Sequence, residues 1–427
     1  MLAMRSAALA VVVFLLNAPA SPATDSEPHG WVRQFGTSGL DEAKSVAVDP
    51  TGAIYTVGET FGALPGQTPA GTLDAFIRKY DPSGTEVWTR QFGAWDRDIA
   101  WAVAASPAGA VYVVGQTEGT LPGQHSAGGL DAFIRRYDPS GTEVWTRQFG
   151  GGGADVASAV AVDQVGNIFV SGTTSSSLAE GVQPKSFDAF VRRYDEAGHE
   201  GWTRQFGTEG GDNARDVTVD QANRLLVAGS TEGTLPGQVS SKGFDAFVAS
   251  FDRDGRTLWI CQFGSTGDDF GVAVAADGEG NVFVAGTAGE ALSGRPSPGG
   301  RTAFLTQFDQ TGVALWTDQF DTGGADDAWD VAVAGEGTAY LVGATQRALP
   351  GQRAAGRIDA FVRQYGPGGR EIWTRQYGTP EDDYALAVAL DHDRGLVIAG
   401  STRGTLDDRA HGNLDAYALR LPGSSNP

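Results

Sequence analysis

One period runs through this chain. Trp stands at 31, 88, 145, 202, 259, 316 and 373, each 57 residues after the last. Three residues after each comes a Gln, as Gln34, Gln91, Gln148, Gln205, Gln262, Gln319 and Gln376. An Asp keeps the same step, as Asp41, Asp98, Asp155, Asp212, Asp269, Asp326 and Asp383. Seven equal units without an insertion imply a repeat architecture, in which each unit buries its apolar face against its neighbours.

Each unit reads as four short strands, A to D. In the first, Ser45 to Val48, Ile54 to Gly58, Asp74 to Tyr80 and Glu86 to Phe92 have strand composition. Asp49-Pro50-Thr51-Gly52 and Asp81-Pro82-Ser83-Gly84 separate the first and last pairs, and Asp-Pro-x-Gly suits a tight turn ending in a left-handed Gly. The unit is therefore an up-and-down meander. Strand A is rich in Val and Ala (Val46-Ala47-Val48, Val160-Ala161-Val162, Val331-Ala332-Val333), which suits the crowded axis of a ring. Residues 31–35 read as a D strand with no blade, and 415–421 as a C strand whose blade lacks its D. Joined, they make seven complete blades and hide both open edges. The expected fold is all-β, a seven-bladed β-propeller of four-stranded blades closed by the N-terminal strand. A linear β-solenoid would not need complementary half-blades.

With a three-residue C–D loop, strand alternation puts Asp74, Phe76, Arg78 and Tyr80 on one face with Glu86, Trp88, Arg90 and Phe92. That face is expected to pack on the next blade. The same count predicts cross-strand ion pairs Asp74/Arg90, Asp131/Arg147, Asp188/Arg204, Asp359/Arg375 and, across the closure, Asp415/Arg33, read as structural braces. Thr302 and Asp318 replace both partners in one blade, while Asp245 faces Cys261 in another.

Composition bounds the setting. Of 427 residues 61 are Gly, too many and too regularly placed for long helices. Arg5, the apolar run Ala7 to Leu16 and the small residues up to Ala23 have the parts of a secretory signal; the run is too short to span a bilayer. The expected order is a signal at 1–23, a linker at 24–30, the propeller at 31–421 and a tail at 422–427, giving a secreted or cell-surface, monomeric protein without a membrane span. Cys261 is the single cysteine, so no internal disulfide is available. A formal charge of −21 argues against nucleic acid and anionic membranes.

The unit resembles the bacterial β-propeller repeat family known as SBBP. The resemblance rests on Gly264 to Gly271 with Asp268-Asp269, on Val160 to Val170 and Val274 to Val284, and on the strand C signature at Asp188 to Tyr194 and Asp359 to Tyr365. It implies an exported propeller and brings no catalytic residue or cofactor to carry over.

Two repeated features share the face bearing the B–C loops and the D-to-A crossings. Leu64-Pro65-Gly66-Gln67 recurs at Leu121 to Gln124, Leu235 to Gln238 and Leu349 to Gln352, with departures at 178–181, 292–295 and 406–409. Gln67, Gln124, Gln238 and Gln352 are thus candidates for multivalent contact with a glycan or protein partner, or the Leu is a plug and Pro-Gly the loop's shape. The seven Asp, several of them doubled as in Asp326-Asp327, allow two roles: anchors of their own Gly-rich loops, or a ring of oxygen ligands for Ca2+. The first function expected is a binding module on this face. The second is a calcium-dependent structural protein of the cell surface, and a channel hydrolase or lyase comes last. His29, His125, His199, His392 and His411 fall at unrelated repeat positions, and no nucleophile elbow or phosphate loop appears, so no enzyme is expected.

Overall fold

The computed structural model describes residues 30–292, 300–407 and 411–423. The expected signal at 1–23, most of the linker and tail, and parts of the 292–295 and 406–409 loops lie outside them. The regular elements among the described residues are twenty-eight strands, β1 to β28, in seven four-stranded antiparallel sheets. No helix among them is long and apolar enough to cross a membrane.

The first blade is β2 (Asp41–Val48), β3 (Ile54–Thr60), β4 (Asp74–Tyr80) and β5 (Glu86–Phe92), in that order across the sheet. The last joins β26 (Asp383–Leu390), β27 (Leu396–Thr402) and β28 (Asp415–Leu421) to β1 (Trp31–Phe35). β1 runs antiparallel to β28 from Trp31 opposite Arg420 to Phe35 opposite Ala416, so the N-terminal strand closes the ring. The turns follow the Asp-Pro-x-Gly reading. Asp49 Oδ1 accepts the Thr51 and Ala53 amides at 2.8 and 3.0 Å, and Gly52 turns left-handed at φ 82°.

The C–D hairpin departs from the expected alternation. Tyr80 pairs with Glu86, but Lys79 pairs with Trp88, so Val87 is an extra, bulged residue. The same shift recurs in the six complete C–D pairs. One inserted residue moves every later side chain to the other face. Trp88, Arg90 and Phe92 therefore share a face with Ala75, Ile77 and Lys79, while Asp74, Phe76, Arg78 and Tyr80 look the opposite way.

This flip puts aromatics on both faces of each sheet, as a closed ring requires. Phe35 meets Phe76 edge-on at 5.5 Å and Trp31 meets Tyr80 at 5.9 Å; one blade later Phe92 meets Phe133 at 5.7 Å and Trp88 meets Tyr137 at 6.3 Å. Each D strand thus packs on the C strand of the next blade, and such edge-on pairs contribute roughly 0.5–1.5 kcal/mol beyond burial. Strand A faces the axis, with Ala43, Ala100, Ala157, Ala214, Ala328 and Ala385 fully buried behind it.

The expected Asp/Arg braces do not form, for the same reason. Asp74 lies beside Gln91, whose Nε2 donates to Asp74 Oδ2 at 2.7 Å, and the pairing repeats as Gln148/Asp131, Gln205/Asp188, Gln262/Asp245, Gln376/Asp359 and, across the closure, Gln34/Asp415. The arginines reach forward instead. Arg33, Arg90, Arg147 and Arg204 donate from Nε to the carbonyls of Gly84, Gly141, Gly198 and Gly255 in the next blade at 2.7–3.0 Å. Each lies over the Trp two residues before it, as does Arg375 over Trp373 at 5.1 Å. They brace blade to blade, but through carbonyls. Asp318 likewise meets Arg363 at 3.6 Å and accepts from Tyr365 Oη at 2.8 Å. No acid opposes it.

Candidate functional site: the channel mouth

The Leu-Pro-Gly-Gln loops are built as supports. Leu64, Leu121, Leu235 and Leu349 are buried plugs. Gln67 N–H closes a turn on Leu64 O at 2.9 Å, and Gly66 takes φ 74°, the pattern of a type II turn after Pro65. The glutamine side chains, half-buried, turn inward. Gln67, Gln124, Gln238 and Gln352 each accept the backbone N–H of the strand D Gln (Gln91, Gln148, Gln262 and Gln376) at 3.0–3.1 Å. That Gln in turn accepts the amide of the plug leucine at 2.8–2.9 Å. Of the two readings of these loops, the buried Leu and the Oε1 atoms engaged inside the blade describe plug and tie, and those oxygens are not turned outward to a ligand.

The seven Asp are loop anchors in seven separate blades. Each is buried and accepts the amide four residues before it: Asp41 from Thr37, Asp98 from Ala94, Asp155 from Gly151, Asp212 from Thr208, Asp269 from Ser265, Asp326 from Thr322 and Asp383 from Thr379, all at 2.5–2.8 Å. Strand B Thr hydroxyls complete the cradle, Thr345 to Asp326 and Thr402 to Asp383 at 2.5 Å. No group of three or more His, Cys, Asp or Glu placed to hold a metal occurs among the described residues, so the seven carboxylates are not gathered into one ligand set. Burial raises Asp98 to about 6, with Asp74 across Gly93 adding repulsion, and raises Asp269 to about 6.

Asymmetry enters at the axis. Every strand A carries a β-bulge, and the extra residues are Lys44, Trp101, Ser158, Arg215, Val272, Trp329 and Leu386. All seven line one central cavity of about 810 Å³. A bulge re-aims its side chain out of the pleat, so the same device in seven blades delivers seven side chains to one space. They lie three residues after the anchoring Asp, near the loop-bearing end of the channel. Here seven units with closely matching Trp, Gln and Asp present two indoles, two cations, a hydroxyl and two aliphatic groups. The signal was in the composition: of ten Trp, seven hold the repeat position and Trp95, Trp101 and Trp329 do not. Trp95, on the crossing into the second blade, is 71% exposed on the loop face.

The charges at the mouth are unevenly partnered. Lys44 is clamped by Glu42 at 2.5 Å and Glu59 at 2.9 Å and lies 4.8 Å over the Trp101 ring. Trp101 Nε1 donates to Gln116 at 3.0 Å. Asp216 turns toward the sheet and accepts the Val274 and Val217 amides at 2.8 Å; Asp330 does the same for Val388 and Val331 at 2.7 Å. Arg215 makes no hydrogen bond or ion pair among the described residues, and enclosure by protein pulls its pKa below the usual arginine value.

Burial, with repulsion from Asp330 added, lifts Asp216 to about 7. Burial lifts Asp330 to about 6. A carboxyl raised in the fold from 3.8 favours folding below 3.8 and loses that contribution as pH climbs through about 7. The Asp216→Asn variant cannot ionise. Its stability relative to the parent is therefore expected to improve by on the order of 4 kcal/mol between about pH 4 and pH 8. Urea melts across that range check it, and a pH-independent difference refutes the buried-acid assignment.

These features define a seven-bladed propeller whose channel mouth differs in chemistry from blade to blade. Residues 30–64, 144–179, 201–235 and 258–291 match the SBBP family, described as a beta-propeller repeat. A curated relative is the "Regulatory protein FlaEY" of Caulobacter vibrioides, 28% identical over 414 residues, covering 83% of this chain and 42% of that protein. An uncharacterized WD repeat-containing protein of Acanthamoeba polyphaga mimivirus is 21% identical, covering 78% of this chain and 32% of its own length. The chain thus spans less than half the length of these relatives. The fold is shared with the Neurospora crassa Pan2 WD40 domain (TM-score 0.51, 11% identity, 92% of this chain and 97% of that one) and with polysaccharide lyase Uly1 (TM-score 0.53, 11% identity, 89% and 90%).

Proposed function

We propose that the chain is an exported, non-catalytic binding module that takes its ligand, a glycan or protein, on the loop-bearing face over the channel mouth. The observation that carries this reading is the set of seven strand A bulges, which bring a position holding six residue types in seven blades to a single cavity. The rest of the unit is scaffold: plugs, anchors and ties that recur from blade to blade. The exposed Trp95, Phe61 and Phe187 ring the same face, as an interaction surface would. Export rests on the composition of residues 1–23. The scattered histidines support a non-catalytic role, since His199 belongs to a C–D turn with Asp195 and His392 to an A–B turn against Asp49. A curated relative with a regulatory name fits it as well.

Glycan and peptide arrays probed with the parent chain and with a Trp101→Ala/Trp329→Ala double variant test the reading. Ligands found for the parent are expected to bind the double variant at least about tenfold more weakly, as loss of aromatic anchors does. Unchanged binding by the folded double variant overturns it.

A further inference from the structure

Resting on that reading, we propose that the channel mouth recognises a carboxylated sugar, with Arg215 receiving the carboxylate and Trp101 and Trp329 forming the walls that receive the ring. The argument begins with the charge balance of the cavity. The chain is acidic overall, at −21, yet the single cation of this cavity without a protein partner points into it. Lys44 is neutralised by Glu42 and Glu59, and the oxygens of Asp216 and Asp330 are turned onto backbone amides. Arg215 is exposed to the channel, so its guanidinium is open to an incoming anion and has no competing acceptor among the described residues. The planar guanidinium suits a carboxylate, which it can meet with two parallel hydrogen bonds.

The remaining lining narrows the anion. Indoles from the second and sixth blades stand on either side of the fourth blade's Arg215 in ring order, apolar plates suited to a ring rather than a thin chain. Ser158 and Thr173 line the cavity with hydroxyls that no group among the described residues engages. Trp329 Nε1–H and Asn213 Oδ1 are buried without partners. Free hydroxyls beside aromatic plates match a ligand with a flat C–H face and a polar rim. The volume, about 810 Å³, falls within the usual range for one small ligand, and so for a few sugar units. A free peptide carboxylate would satisfy Arg215 but leave the plates and hydroxyls without a task.

The test is calorimetric titration of the chain with an oligogalacturonate and with the same oligosaccharide after reduction of its carboxyls to alcohols. The oligouronate is expected to bind about ten- to a hundredfold more tightly than the reduced form, the value of a charge-assisted pair. Arg215→Gln is expected to remove that advantage while weakening the reduced sugar far less, and Arg215→Lys to restore only part of it. Equal binding of both sugars, insensitive to Arg215→Gln but weakened by Trp101→Ala/Trp329→Ala, overturns the carboxylate assignment and leaves the channel-mouth reading standing. Oligouronate binding indifferent to all of these variants overturns both. Absence of binding at about 1 mM sugar overturns the sugar assignment, and a peptide hit on the arrays then supplies the alternative.

Discussion

A chain lacking residues 30–36 is expected to lose its single cooperative unfolding transition and to aggregate. β1 contributes Trp31 and Phe35 to the core between the last blade and the first, and the five-residue ladder that covers the edge of β28. Gln34 adds three ties to that blade: Nε2 to Gly404 O at 2.9 Å and to Asp415 at 2.7 Å, and Oε1 accepting the Leu406 amide at 2.7 Å. Truncating a buried Phe or Trp costs about 3–5 kcal/mol, so losing both approaches the whole stability of an ordinary domain. The bare β28 edge would template further pairing. Calorimetry and light scattering read the effect. A synthetic peptide spanning residues 30–36, added in trans, is expected to dock as the missing strand and partly restore the transition. A truncated chain that melts like its parent would show that closure carries little of the stability.

Gly229→Ala is expected to cost about 3 kcal/mol or more and to abolish ligand capture with it. In each blade the strand A bulge drives a backbone carbonyl against a strand B glycine. In the fourth blade a Cβ on Gly229 would fall inside the radius of Asn213 O and within 2.9 Å of the Phe247 ring. Backbone cannot step aside as a side chain can, so the bulge itself must yield, and the bulge is what presents Arg215. The same clash awaits at Gly58, Gly115, Gly172, Gly286, Gly343 and Gly400. Chemical denaturation compared with Gly237→Ala, whose Cβ would meet nothing within 4 Å but whose φ of 76° adds modest strain, separates close approach from turn strain. Equal losses at the two sites would refute the close-approach account.

Much of the architecture was legible because it is written seven times. The spacing of Trp31 and its successors set the blade count, and the unmatched strands at 31–35 and 415–421 announced the closure that the register of Trp31 with Arg420 shows. The repeated Gln was visible, but the strand C Asp that it binds was paired with the strand D Arg instead. Gln91 binds Asp74, and Arg90 does not, because Val87 bulges and reverses the D strand. The recurring Asp were visible too, and their role as anchors needed the amides of Thr37 and its equivalents. Channel residues stayed hidden behind the repeat, since they differ from blade to blade and only Trp101 and Trp329 stood out, as Trp away from the repeated Trp position.

Sequence by itself determined the period, the number of blades, the four-strand meander and the way the ends meet, because burial of apolar faces and turn chemistry act at fixed spacings along the chain. Tertiary structure decided which way side chains face. One extra residue in a strand exchanges its two faces, and whether a bulge forms depends on hydrogen bonds to the neighbouring strand rather than on the residue inserted. For that reason Val87 and Lys44, ordinary residues in the sequence, settle the packing between blades and the chemistry of the channel.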